Sequence, residues 1–362
     1  MKKIIIFVLA LLLTACNNMS KTPLTNVRNI DLKREKIVEI SDDFNEYNKE
    51  IRVLEITDQY VYLTIHVKFK KEHQFYRIDN NNNLELIYTY KYGLWDTNHF
   101  LDSDIYNDQI ILSLTYPGAQ KSKIMRVKDN ELETIYEVDA SIFNARIYNQ
   151  YLYFNENIEG PKTDKQYECV SNDQIIDLET LNVKTISSDT FKYDTKTGKL
   201  KGNYSNYSIN PTYASDEGFI YEKDKYVYFY NFAKDEHIKL FRNDVMSWNT
   251  GNDQCVFIRR NDILRFVVKE DEKYVDYYIN NDEFNIDISY YNDDYIDDNK
   301  YYLSVDGKVP LIIFDYKEKE LMLYNDEQWY KDGKFILKNG NIYCYKELDD
   351  KIIIEKCMIQ KV

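Results

Sequence analysis

Apolar and polar positions change over in short bursts along this chain, and the bursts come in sets of three. Residues 58–67 are almost wholly β-branched, aromatic or aliphatic, 74–79 follow after a polar gap, and 84–88 follow after four consecutive asparagines. Runs of this kind bounded by turn formers predict strands. The same order returns at 108–116, 123–128 and 132–136, and at 149–154, 169–178 and 183–186. It continues at 217–221, 226–230 and 238–241, and at 253–258, 263–268 and 274–279. The last two sets are 299–305, 311–315 and 320–324, then 333–338, 341–345 and 352–355. Successive sets begin roughly 35 to 50 residues apart, a period typical of propeller blades. Linking segments such as 145–148 and 285–290 offer a fourth strand. No window sustains the 3.6-residue apolar period of an amphipathic helix.

One sheet of three or four short strands cannot bury its apolar face alone, whereas stacked neighbours can. The expected fold class is therefore all-β, a β-propeller of seven blades. A wider gap between the third and fourth sets, holding residues 191–208 with a turn at 194–198, leaves an eighth blade or a loop excursion open. A pair of sandwiches explains the strands but not their repeated order. Glycine and proline number only 10 and 5, so Asn and Asp must do much of the turn work. Most of the 35 tyrosines alternate within strands, as in Tyr60-Val-Tyr62, which points to packing between blades. Trp95, Trp248 and Trp329 each precede a strand set and fit the same role.

Phe75-Tyr-Arg-Ile-Asp79 and Ile124-Met-Arg-Val-Lys128 share a phrase. That phrase resembles the blade strand of bacterial lipoproteins carrying a TolB-like or YWTD-like propeller domain, a resemblance of pattern spanning about residues 50 to 358. The start of the chain agrees with it. Lys2 and Lys3 precede an apolar run from Ile4 to Leu13, too short to span a bilayer. The run closes on Leu13-Thr14-Ala15-Cys16, which resembles the lipobox of bacterial lipoproteins. The resemblance implies cleavage between Ala15 and Cys16, a diacylglycerol on the Cys16 thiol, acylation (palmitate) of its amine, and an extracytoplasmic, cell-membrane location. Asn17 in place of Asp implies sorting to the outer membrane if the host has two membranes; the AT-rich codon bias implied by abundant Lys, Asn, Ile and Tyr points instead to a single-membrane host. The expected domains are a signal peptide at 1–15, a lipidated Cys16 with a flexible polar tether at 16–36, and the propeller at 37–362.

Charge narrows the partners. Cleavage removes two lysines from a chain of formal charge −14, leaving −16. Such a body repels nucleic acid and anionic headgroups, so no nucleic acid is expected and the membrane is met through Cys16. The expected state is a monomer. Cys169, Cys255, Cys344 and Cys357 remain, as buried free thiols or in one or two disulfides.

Signatures of catalysis are missing from the sequence. His66, His73, His99 and His237 have no metal-ligand spacing. Asp102, Asp104, Asn107 and Asp108, and Asp293, Asp294, Asp297 and Asp298, supply oxygens for Ca²⁺ but lack the glycine and closing glutamate of an EF-hand. The expectation is therefore no cofactor, no metal and no catalytic residue, with Cys16 as the single modified site. The function expected is a membrane-anchored binding or scaffold module for a protein, peptide or glycan. The alternative is an extracytoplasmic glycan hydrolase, which requires paired carboxylates, one with a raised pKa, in the propeller channel.

Overall fold

A computed structural model describes residues 19–360 except 42–48, 68–69, 93–99, 116–120, 161, 198–206, 209–213, 216, 224, 244–247, 261–262, 285, 289–290, 297–298, 306–307, 326–332, 339 and 349–350. Three strands open it: β1 (Ser20–Pro23), β2 (Val27–Asn29) and β3 (Asp31–Ser41). Blade one is β4 (Lys49–Ile56), β5 (Tyr60–Val67), β6 (Glu72–Asp79) and β7 (Leu84–Lys91). Blade two is β8 (Phe100–Tyr106), β9 (Gln109–Thr115), β10 (Ser122–Lys128) and β11 (Glu131–Val138). Blade three is β12 (Ser141–Tyr148), β13 (Tyr151–Glu159), β14 (Gln166–Asp177) and β15 (Val183–Asp194). Blade four holds the short β16 (Tyr207–Ser208) and β17 (Ala214–Ser215), then β18 (Gly218–Lys223), β19 (Tyr226–Asn231) and β20 (Glu236–Arg242). Blade five is β21 (Trp248–Gly251), β22 (Cys255–Arg260), β23 (Ile263–Glu270) and β24 (Lys273–Asn280), followed by a 3-10 turn at Asn281–Phe284. Blade six is β25 (Tyr291–Ile296), β26 (Lys300–Val305), β27 (Leu311–Asp315) and β28 (Glu320–Tyr324). The last sheet combines β29 (Gly333–Lys338), β30 (Asn341–Leu348) and β31 (Lys351–Gln360) with β3.

These seven small antiparallel sheets make a seven-bladed β-propeller. A single parallel pairing, Ala214 with Gly251, links blades four and five. The chain divides into two compact units, one of residues 35–205 and 345–356, the other of 1–34, 206–344 and 357–362.

Within the first unit, the seam between blades one and two is filled by Tyr62, Phe75, Leu112 and Leu114, and the seam between two and three by Ile111, Ile124, Phe154 and Ile176. Within the second unit, Phe229, Val256 and Ile258 fill the seam between blades four and five, and Phe257, Phe266, Leu303 and Phe314 the next. Phe266 and Phe314 stack there with centroids 4.4 Å apart. The tyrosine alternation has the meaning expected of it at Tyr62 and Tyr301, each 1 % exposed and packed in the core between neighbouring blades.

Turns explain how so few glycines suffice. Asn107–Asp108 and Asp129–Asn130 each place both central residues at positive φ, the geometry that matches a hairpin's twist. In the turn before the last strand of a blade, an Asp closing the preceding strand accepts backbone N–H groups. Asp79 takes Asn81 and Asn83, Asp177 takes Glu179 and Thr180, and Asp315 takes Lys317 and Glu318.

Two expectations change. The described residues of 191–208 do not form an eighth blade. Phe191 and Tyr193 pair back onto Cys169 and Tyr167, lengthening the outer hairpin of blade three, because their alternation extends β15 without a break. Residues 20–36 are not a free tether. β1 lies parallel on β24 and β2 parallel on β28, while β3, which spans the expected boundary at 37, completes the last sheet. Apolar residues are sparse in this segment and have no period, yet Leu24 and Ile30 are buried to 7 % and 3 % exposure.

Candidate functional site

The first strands of blades one to three approach one another, and β4 and β8 carry charged residues where the strands next to them, β5 and β9, carry no Asp, Glu, Lys or Arg. Arg52 on β4 donates from Nη1 to Asp102 Oδ1 on β8 at 2.9 Å. Asp104, two residues further along β8, accepts from the backbone N–H of Ile147 on β12 at 3.3 Å. The pairing of β12 with β13 shifts between Phe143 and Arg146, leaving Asn144 and Ala145 as a bulge. Asn144 sits there at φ +54°, a conformation Asn tolerates well, and Phe143 is 39 % exposed. Bulges re-aim side chains and recur beside functional sites.

Behind the bulge lies a buried polar layer. Asn144 Nδ2 donates to Asn155 Oδ1 at 2.8 Å. Asn155 Nδ2 in turn lies 2.6 Å from both Asp173 Oδ1 and the Tyr153 hydroxyl. Tyr153 donates to Asp173 at 2.7 Å, and Ser187 donates to the other carboxylate oxygen. Asp173 is 3 % exposed and takes three side-chain donors, which is how a buried carboxylate is tolerated. Burial, reinforced by the Asp173 charge, pushes the Tyr153 phenol well above its ordinary value, so it stays a donor. On the opposite face of the blade Glu156 accepts from Gln174 at 2.8 Å and Tyr136 at 2.9 Å, and Gln174 accepts from Thr185.

The arrangement offers a ring face at Phe143, an amide at Asn144, and cationic and anionic groups from Arg52, Asp102, Asp104 and Arg146. It holds them on strands braced by a satisfied network. Such a surface suits recognition of an extended polar chain by stacking and hydrogen bonding. Sequence reasoning missed Arg52, Phe143, Asn144 and Arg146. The Phe-Asn-Ala interruption within a strand run is the one signal that could have marked the bulge.

The residues singled out from sequence fall as follows. Cys16, His99, Trp95, Trp329, Asp297 and Asp298 lie outside the described residues. Asp102 and Asp104 face β4 and β12, whereas Asn107 and Asp108 form the turn and Asp108 accepts the Tyr62 hydroxyl at 2.5 Å. The four are therefore not gathered around one point. Asp294 is buried and accepts the Tyr301 hydroxyl. Among the described residues, no group of three or more His, Cys, Asp or Glu could hold a metal ion. His66 and His73 are cross-strand partners stacked 4.2 Å apart, with His66 Nε2 2.8 Å from the Tyr92 hydroxyl, and His237 Nδ1 lies 2.7 Å from the Tyr221 hydroxyl. Cys169, Cys255, Cys344 and Cys357 are buried free thiols. Burial pushes the Cys255 and Cys169 thiols up, which keeps them protonated.

Several carboxylates among the described residues are held below their ordinary values. Glu39 is lowered by Lys36 and Lys351, Glu133 by Arg126, Glu137 by Lys123 and Lys121, and Asp79 by Asn83.

The phrase shared by β6 and β10 acquires a role. Arg77 reaches across to Glu85 on β7 at 2.7 Å, and Arg126 to Glu133 on β11 at 2.6 Å. In each blade the arginine ties the third strand to the outermost one.

The sequence matches no family profile and no curated protein. Solved structures are similar in fold. The acylaminoacyl peptidase of Pyrococcus horikoshii aligns over 87 % of this chain at 10 % identity and a TM-score of 0.52, and the chain spans about half, 53 %, of that protein. The uncharacterized protein lmo1340 of Listeria monocytogenes EGD-e aligns over 93 % of this chain and 94 % of its own, at 12 % identity and a TM-score of 0.44. Kluyveromyces lactis Hsv2 aligns over 91 % and 99 %, at 9 % identity and 0.44. At these identities the likeness is one of fold.

Proposed function

We propose that this chain is a bacterial lipoprotein, acylated at Cys16 and held on the extracytoplasmic face of the cell membrane, whose TolB-like or YWTD-like propeller binds a protein, peptide or glycan partner. The observation that carries the binding reading is the β12 bulge, where Phe143 is exposed on a strand fixed from behind by Asn155, Tyr153 and Asp173. A ring held in water on a strand whose conformation is fixed from behind is pre-organised to stack against a partner. The lipobox residues and the strand-tying arginines of β6 and β10 support the lipoprotein-propeller kinship.

The test is a binding screen of the mature chain on arrays of extended peptides and bacterial glycans. Phe143→Ala should weaken the best ligand at least tenfold while leaving the thermal midpoint within a degree or two. Equal affinity of the variant removes the site from the reading. Turnover of a bound glycan would instead favour the hydrolase alternative.

A further inference from the structure

The segment that follows the lipobox is stitched into the propeller almost at once. Met19 packs against the core between blades four and five, beside Ile238 and Tyr274. Leu24 and Val27 enter the core between blades five and six, and Ile30 and Leu32 the core that Leu311 and Ile313 share with Phe335 and Leu337. Backbone pairing accompanies each insertion. Ser20 pairs with Val275, Leu24 donates to the carbonyl of Tyr278 at 2.8 Å, and Ile30 donates to that of Leu323 at 2.9 Å. Arg28 adds an ion pair to Glu320 at 2.8 Å.

Two residues, Asn17 and Asn18, separate Cys16 from Met19. Fully extended, three residues reach about 10 Å. A lipid on Cys16 must therefore hold the bilayer within about that distance of Met19, whatever the conformation between them. Direction follows from register. β1 runs parallel to β24 and meets it at Val275, so the chain preceding Ser20 leaves toward the start of β24 and the exposed turn Asp271–Glu272. The opposite end of β24, where exposed Glu283 lies in the 3-10 turn, is about 25 Å away along the strand.

We propose that residues 19–32 are a rigid mount: the lipid surface is the occupant of the face around the β23–β24 turn, and blade five meets the bilayer with Asp271–Glu272 near and Glu283 far. This rests on lipidation of Cys16 and adds an orientation to it.

Single fluorophores placed at Glu272→Cys and Glu283→Cys read the two ends, because the four native cysteines of the described chain are buried. The acylated protein is reconstituted into phosphatidylcholine vesicles carrying a headgroup nitroxide, whose quenching is short-ranged. Quenching should be at least twofold greater at position 272 than at 283. A twelve-residue Gly-Ser insertion between Asn18 and Met19 should abolish the difference, and so should Met19→Asp combined with Leu24→Asp, with the strand content unchanged by circular dichroism. Equal quenching at the two positions in the native chain overturns the mount. The mass of the N-terminal peptide separates the two failures: an unacylated Cys16 removes the anchor and the mount together, whereas an acylated Cys16 with equal quenching removes the mount alone.

Discussion

At the scale of single residues, the same pairing has different worth according to where it sits. Arg265 clamps Asp276 with Nε–Oδ1 and Nη2–Oδ2 contacts of 3.1 and 2.6 Å, and the two side chains are 12 % and 1 % exposed. Arg265→Ala leaves that carboxylate buried and unpaired, and should cost about 3 to 5 kcal/mol. Arg77→Ala breaks a pair that is 32 % and 59 % exposed, and should cost less than about 1 kcal/mol in the same denaturant titration. Leu181 occupies φ +58° in the turn where blade one places Asn82 at +63°. Leu181→Asn should raise stability by about 0.5 to 1 kcal/mol, since a left-handed conformation is strained for leucine. Glu270 is held below its ordinary value of 4.5, first by the Tyr277 hydroxyl at 2.5 Å and then by Lys319, while burial and the same contact push Tyr277 up to about 12. A lowered folded-state value makes this contribution fully present above pH 4.5 and lost as pH falls through the folded value. The advantage of the native chain over Glu270→Gln in thermal midpoint should therefore shrink on acidification below that point. None of these contacts was legible in the sequence, because each joins groups whose proximity only the sheet register decides.

At the scale of elements, legibility followed burial. The second and third strands of blades were readable because they are covered by neighbours and rich in Val, Ile, Tyr and Phe, as in Tyr60–Val67 and Leu311–Asp315. First strands were mostly passed over. Lys49–Ile56 reads KEIRVLEI, Phe100–Tyr106 reads FLDSDIY, and Tyr291–Ile296 reads YNDDYI. Their polarity hides the strand pattern and is also what makes β4, β8 and β12 a candidate binding wall. The candidate site was invisible for the same reason. β1 and β2 were misread because an added edge strand needs only one or two apolar contacts. Leu24→Ala and Ile30→Ala should each cost about 2 to 4 kcal/mol, the ordinary price of emptying a core site. Lys21→Ala, on the exposed side of β1, should stay within about 0.5 kcal/mol. Equal and negligible effects at all three positions would return this segment to the status of a tether.

At the scale of the whole molecule, the repeat was legible and its closure was not. Seven sets of strands predicted seven blades, yet the last sheet takes β3 from the other end of the chain, which no local pattern announces. The opening segment also has its own order in time. Arg28 and its partner Glu320 are 292 residues apart, so residues 19–32 are synthesised first and find their places last. A segment that docks only on β24 and β28, once these strands are paired, is expected to make its contacts after the folding barrier, where they govern unfolding. Ile30→Val should therefore speed unfolding and leave the refolding rate unchanged, measured by stopped-flow fluorescence. A chain made from its N-terminus then carries this stretch unpaired through most of its synthesis, open to a protease or a chaperone until β24 and β28 arrive. Seating that stretch is the signal, written in the fold, that the C-terminal blades are finished.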